Sequence, residues 1–176
     1  IRDMLEVGSE LYVETLYLQK SMDHIEKITA SSYDLYRKLN EENMEHLGKE
    51  ALLIAQEIHE VKKDSQRIYS GLAKITNKRK EQLFYLSELI ELVITANKKY
   101  SELLKKEIHF SFSYTVDYET DQHIPLLALL NNLIANAVEV IDHSGKIQIQ
   151  LYEKSNITYF SVQDSGKGIP KEDRSI

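Results

Sequence analysis

From Leu47 to Ile75 the apolar residues return at steps of four and three. The series is Leu47, Ala51, Ile54, Ile58, Val61, Ser65, Ile68, Leu72 and Ile75, with Ser65 its one polar member. Such spacing keeps the apolar side chains on one stripe of an α-helix and predicts a bundle or coiled-coil seam. After "TNKRKEQ" the pattern resumes with Leu83, Leu86, Ile90, Val93, Asn97, Tyr100 and Leu104. Two such helices joined by a short link predict an antiparallel hairpin, with the basic run "NKRKEQ" as its solvated loop. A lone hairpin buries little, so a homodimer closing a four-helix bundle is the economical arrangement. A hairpin packed against another domain of the same chain is the alternative.

Upstream, Leu18, Met22, Ile25, Ser32, Leu35 and Leu39 mark a second stripe. Steps of seven from Leu39 reach His46, whereas the later seam uses Leu47. A skip, a bend or a separate helix therefore falls in "NEENMEHLGKE". An out-of-phase helix feeding a bundle is suited to transmitting rotation or tilt, and equally to serving as a spacer or cap. The first 106 residues hold no proline and are dense in Glu, Lys, Leu and Ile, a long-helix composition. Both prolines, Pro125 and Pro170, lie in the last third, with Gly145, Gly166 and Gly168. These shifts divide the chain into residues 1–46, an upstream signalling or linker helix; 47–106, the hairpin; and 107–176, a different kind of domain.

That last part alternates. "EIHFSFSYTV" puts Ile108, Phe110, Phe112 and Tyr114 on one strand face; "HIPLLALLNNLIANAVEVIDH" is an apolar helix starting near Pro125. "GKIQIQLYEKS" and "NITYFSVQDSGKGIP" are two more strands, the second running into a glycine turn. Strand, helix, strand, strand predicts an α+β sandwich with helices on one face of a mixed sheet. Asn132 and Asn136 lie four apart, on one face of the apolar helix. A buried amide without partners costs roughly 1–3 kcal/mol, so the pair marks a ligand, a metal or a polar cleft, or else faces water. Asp164, Gly166 and Gly168 follow a strand, where glycines let the backbone approach a ligand closely or simply make a turn.

Taken together, "NLIANAVE" and "DSGKGIP" with two strands between them resemble the N box and first glycine box of the GHKL ATPases. These comprise sensor histidine kinases, Hsp90-type chaperones, type II topoisomerases and MutL-like repair proteins. "HE" at His59 and Glu60, on a dimerising helical hairpin upstream, selects the histidine kinases of two-component systems. The resemblance covers roughly residues 47–176. It implies an α+β chain in which a long helix and a dimeric four-helix bundle precede a partial GHKL (Bergerat) sandwich. It implies that His59 is the phosphoacceptor for the γ-phosphate of ATP and that Glu60 holds and polarises its imidazole as a base. Asn136 would hold Mg²⁺ among the phosphates, and Asn132 would line the same pocket. Asp164 would accept a hydrogen bond from the adenine amino group, with Gly166 and Gly168 packing beside the base. The phosphoryl group would pass to an aspartate on a response-regulator receiver domain.

The implied activity is therefore that of an ATP-dependent protein-histidine kinase. A non-catalytic dimeric phosphorelay or scaffold protein with a degenerate ATPase domain is the alternative, and another GHKL ATPase the third reading. Two departures qualify the resemblance. Many of these kinases place Thr or Asn four residues after the histidine, or Gln five after it, to orient water for dephosphorylating the regulator. Here those positions are Lys63 and Asp64, so a weak phosphatase, or one using other groups, is expected. The chain also reads as an excised piece, ending before the family's ATP lid and second glycine box, and such a piece is expected to be inactive without them.

Twenty-two basic and 28 acidic residues give a formal charge of −6, which argues against a nucleic-acid partner. With no cysteine, thiolate zinc sites and cysteine nucleophiles are excluded, and a reducing cytoplasmic setting fits. No apolar run approaches the ~20 residues of a membrane span, so any membrane association of the parent belongs to segments upstream. His24 and His46 read as solvated helix surface, His109 as a strand edge, and His123 and His143 as cap or loop residues. No pair has zinc-ligand spacing.

Overall fold

The computed structural model describes residues 2–77 and 82–168. Residues 78–81, within the run expected as a loop, and the end of the chain from Ile169, including Pro170, lie outside the described residues. The elements are α1 (Arg2–Glu41), α2 (Glu45–Asn77), β1 (Phe84–Tyr85), α3 (Leu86–Leu103), β2 (Glu107–Tyr114), β3 (Glu119–Thr120), α4 (His123–Val140), β4 (Ser144–Lys154) and β5 (Ile157–Asp164). They form two compact units, one of Leu18–Ile75 and one of Ile1–Tyr17 with Thr76–Ile176.

In the first unit the phase break is a chain reversal. Asn43 adopts φ 59, and the Asn43 and Met44 N–H groups donate to the carbonyls of Asn40 (3.1 Å) and Leu39 (2.9 Å). That pairing is a Schellman stop, with an asparagine at the left-handed position where a short polar side chain is tolerated. α2 then returns antiparallel to α1. Gly48 faces Asn40, and Lys62 Nζ reaches Glu26 Oε1 at 2.9 Å.

The expected hairpin of residues 47–106 spans elements of both units. Its first helix, α2, belongs to the unit Leu18–Ile75, and its second, α3, belongs to the other unit. There α3 packs on α4 and β2, burying Leu89, Ile90, Val93, Ala96 and Tyr100. An amphipathic period states that a face is buried, and a sheet-backed helix satisfies it as well as a bundle does. The helix also starts later than Leu83. Phe84–Tyr85 pairs with Glu119–Thr120, and Asp117 accepts hydrogen bonds from the Ser87 N–H (3.0 Å) and Ser87 Oγ (2.6 Å).

The strand, helix, strand, strand order is as the alternation predicts. β2 and β4 run parallel, β4 and β5 antiparallel, in the order β2-β4-β5. Ile147, Ile149 and Leu151 of β4 are fully buried beneath the helices, flanked by Ile108, Phe110 and Phe112 of β2. Tyr114, expected on that face, is exposed at the strand's end. The β4–β5 turn is Ser155-Asn156 with φ 53 and 60, the doubly left-handed geometry that matches strand twist. Residues Tyr12, Val13 and Leu16 of α1 join this core. Among the described residues only α4 is long and apolar enough to cross a membrane, and it packs on α3, β4 and β5.

Candidate functional site

His59 and Glu60 lie on α2, both exposed. Lys62 turns toward α1 to meet Glu26 and Ile58 is half-buried, whereas His59 projects to solvent from the flank of the helix pair. Glu60 does not hold the imidazole here: its Oε1 takes a hydrogen bond from Lys63 Nζ at 2.8 Å. Successive helix residues diverge, whereas residues three apart meet, which favours the lysine. The Lys63 ammonium keeps the Glu60 carboxyl below its ordinary range, with His59 adding a smaller pull. Glu60 therefore remains an ionised carboxylate beside the ring. Asp64, five residues after His59, pairs with Arg67 at 3.0 Å.

The second cluster forms at the C-terminal end of α4. Asn132 and Asn136 are both exposed on one face, while their neighbours Ile134, Ala135, Ala137 and Val138 are buried. β5 delivers Asp164 to the same end. Its Oδ1 accepts the Gly166 N–H at 2.7 Å, folding the chain into a tight turn. A carboxylate engaged through one oxygen retains the other as an acceptor. Gly166 lies against Val140, where an added Cβ would come within 2.7 Å of Val140 Cγ2 and 3.0 Å of its carbonyl. No other residue fits that approach. Gly168 has φ +71, open to glycine at least cost. The structure thus joins the Asn132/Asn136 helix to the Asp164/Gly166/Gly168 turn within one unit, and it places His59 and Glu60 in the other.

An amide pair on an open face beside a glycine turn suits phosphate and base recognition. Asn136 can supply one amide oxygen to Mg²⁺, and the phosphates would complete the coordination. Among the described residues no group of three or more His, Asp or Glu side chains is placed to hold a metal without them. A cavity of about 540 Å³ lined by Glu88, Glu91, Thr95 and Glu119 contains none of these residues.

Three residues acquire roles that their sequence positions did not reveal. His123, expected as a cap or loop residue, is fully buried at the start of α4, with Tyr12 Oη 3.2 Å from Nε2. Asn97, expected on a bundle seam, is buried and donates to Asn131 Oδ1 at 2.9 Å; Asn131 Nδ2 in turn reaches the Leu16 carbonyl at 3.4 Å. A polar residue inside an apolar stripe was the one available signal, and it does not name the partner.

The family described as histidine kinase-, DNA gyrase B- and HSP90-like ATPase matches residues 121–176. The chain is 40% identical over 171 residues to the sensor histidine kinase GlnK of Bacillus subtilis, covering 96% of this chain and 42% of that protein. It is 27% identical over 133 residues to histidine kinase P4 of Formosa agariphila, covering 62% of this chain and 10% of that one. The chain thus spans less than half the length of either relative. The solved catalytic domain of histidine kinase ThkA aligns at a TM-score of 0.45 and 29% identity, covering 52% of this chain and 62% of that one.

Proposed function

We propose that this chain, whose residues 121–176 match the family described as histidine kinase-, DNA gyrase B- and HSP90-like ATPase, is the core of a sensor histidine kinase. It uses ATP to phosphorylate His59 and passes the phosphoryl group to a response-regulator aspartate in the cytoplasm. The observation that carries the reading is the meeting of two motifs at Gly166 and Val140. The turn that would receive adenine is seated on the end of the helix whose amides would receive the phosphates.

In this reading Asp164 accepts the adenine amino group, and Gly166 and Gly168 admit the base beside the backbone. Asn132 would line the phosphate end, and Asn136 would hold Mg²⁺, which would supply charge neutralisation on the phosphates. The neutral His59 ring attacks the γ-phosphorus in line through one nitrogen. The nitrogen–phosphorus bond forms as the bond to the bridging oxygen breaks, ADP leaves, and Glu60 takes the proton released from the ring. Positioning and electrostatics carry such transfers.

The α1–α2 pair carries His59 and is the phosphotransfer hairpin on this reading. Its homodimer would form along Leu47, Ile54, Val61, Ile68 and Ile75, which repeat every seven residues and are each 48–59% exposed. A relay without catalysis is favoured by one observation, the engagement of Glu60 by Lys63 in place of His59.

The test is the intact polypeptide with Mg-ATP, followed by intact mass for acid-labile phosphate, with His59→Gln alongside. Phosphate on the wild type alone is expected. Phosphate on neither, from a folded protein, overturns the kinase and makes a phosphorylated response regulator the next donor to try.

A further inference from the structure

Lys167 stands between the two glycines of the turn and has no part in the reading above. Neither does Asp142, two residues beyond α4, nor Lys106, at the junction of α3 and β2. These three charges meet around the end of α4.

α4 stops at Val140, and Ile141 leaves it in extended geometry, φ −80 and ψ 127. The last carbonyls therefore need outside donors. Lys106 provides them, with Nζ 3.0 Å from the Val138 carbonyl and 2.8 Å from the Glu139 carbonyl. It is placed there by a second Schellman stop: Lys105 has φ 56, and the Lys106 N–H donates to the Ser101 carbonyl at 2.9 Å. Lys106 thus fixes the turn of α4 that ends in Val140, the residue on which Gly166 rests.

The glycine turn is pinned at three successive residues. Ser165 Oγ accepts the Lys146 N–H at 2.9 Å, and the Ser165 N–H donates to the Lys146 carbonyl at 3.1 Å. Gly166 packs on Val140. Lys167 Nζ reaches Asp142 at 3.2 Å from Oδ1 and 3.0 Å from Oδ2. We propose that Asp142 and Lys167, backed by Lys106, are positioning residues that strap the glycine turn to the end of α4 and set the span between Asp164 and the Asn132/Asn136 face. The inference rests on the nucleotide-binding reading of that site.

The pair is exposed, so it adds little to global stability and is screened by salt. Its effect falls on a spacing that one ligand must bridge at both ends, where small displacements matter. The experiment is titration calorimetry of MgADP into the intact polypeptide at low salt and at about 0.5 M salt, where the Debye length is only a few ångströms. At low salt, Asp142→Asn and Lys167→Gln each weaken binding about two- to five-fold relative to wild type. The double variant is no weaker than either single one, because the two act as one contact. Lys167→Arg retains wild-type affinity, and at high salt the ratios collapse toward one.

Lys167→Gln weakening binding while Asp142→Asn leaves it unchanged or tighter overturns the strap and makes Lys167 a direct phosphate contact. Wild-type affinity in both single variants overturns it as well. Asp164→Asn separates the two claims: binding in the wild type that is lost there keeps the nucleotide reading whatever the strap does. An absence of MgADP binding in the wild type removes both.

Discussion

His123 has no exposed surface, and Tyr12 and Phe84 surround its ring with centroids at 5.9 and 4.9 Å. Burial disfavours the imidazolium and holds its pKa below the ordinary histidine value, with Asp121 opposing in part. The sign follows directly. Below about pH 6.5 the unfolded chain takes up the proton first, so it binds more protons than the folded one. Stability is whole above that pH and falls as pH drops through the folded pKa, by at most about 1.4 kcal/mol per pH unit for one proton. Urea unfolding of wild type and His123→Asn at pH 7.5, 6.5 and 5.5 should show a gap that narrows with acid. A gap independent of pH would remove the effect from His123. Two glycines give opposite expectations at this scale. Gly48→Ala meets only the end of the Asn40 side chain, which can rotate away, and gains helix propensity. It should raise stability by about 0.5–1 kcal/mol. Gly166→Ala meets the Val140 carbonyl and side chain, which cannot move without shifting α4. It should lower stability and MgADP affinity together, and equal melting curves for the two alanine variants would refute the contrast.

Among the elements, those with a strict local period were readable and their partners were not. β4 alternates Ile147, Ile149 and Leu151 with glutamines, and one register satisfies that pattern. α4 is apolar on most of its circumference, so its place against a sheet followed, and Asn132 and Asn136 stood out as polar residues facing outward. The glycine turn was legible because Asp164, Gly166 and Gly168 follow a strand, where glycines permit a turn or a close approach of the backbone. α2 and α3 were each recognised as amphipathic, but what each packs against within its own unit was not. Nothing in a heptad separates a stripe against a helix from a stripe against a sheet. The deciding information lay outside the heptads: the local Schellman stop at Asn43 returns α2 onto α1, and the non-local Asn97–Asn131 contact ties α3 to α4. Lys106 and Asp142 were equally silent, since a capping lysine is defined by carbonyls 32 and 33 residues away.

At the scale of the molecule, the hairpin leaves one apolar column uncovered. On α2 Ala51 and Ala55 are buried in the helix pair, whereas Leu47, Ile54, Val61, Ile68 and Ile75 remain 48–59% exposed. Ile28 and Leu35, seven apart on α1, are exposed as well. Scattered apolar residues on a surface need no explanation, but a continuous column at heptad spacing along a helix does. Each buried CH₂ contributes about 0.8 kcal/mol, so a self-complementary pairing of two such columns would outweigh the loss of independent motion on association. A two-fold dimer is the arrangement that sets a column against itself. Replacing Ile54, Val61 and Ile68 together by Glu puts like charges opposite one another in that seam. Sedimentation equilibrium of the intact polypeptide should give a dimer for the wild type and a monomer for the triple variant, with helical circular dichroism retained in both. His59 lies off the column, so the single variant His59→Gln should remain dimeric. A wild type that sediments as a monomer, or a triple variant that still dimerises, would show that the column is covered by something other than a second copy.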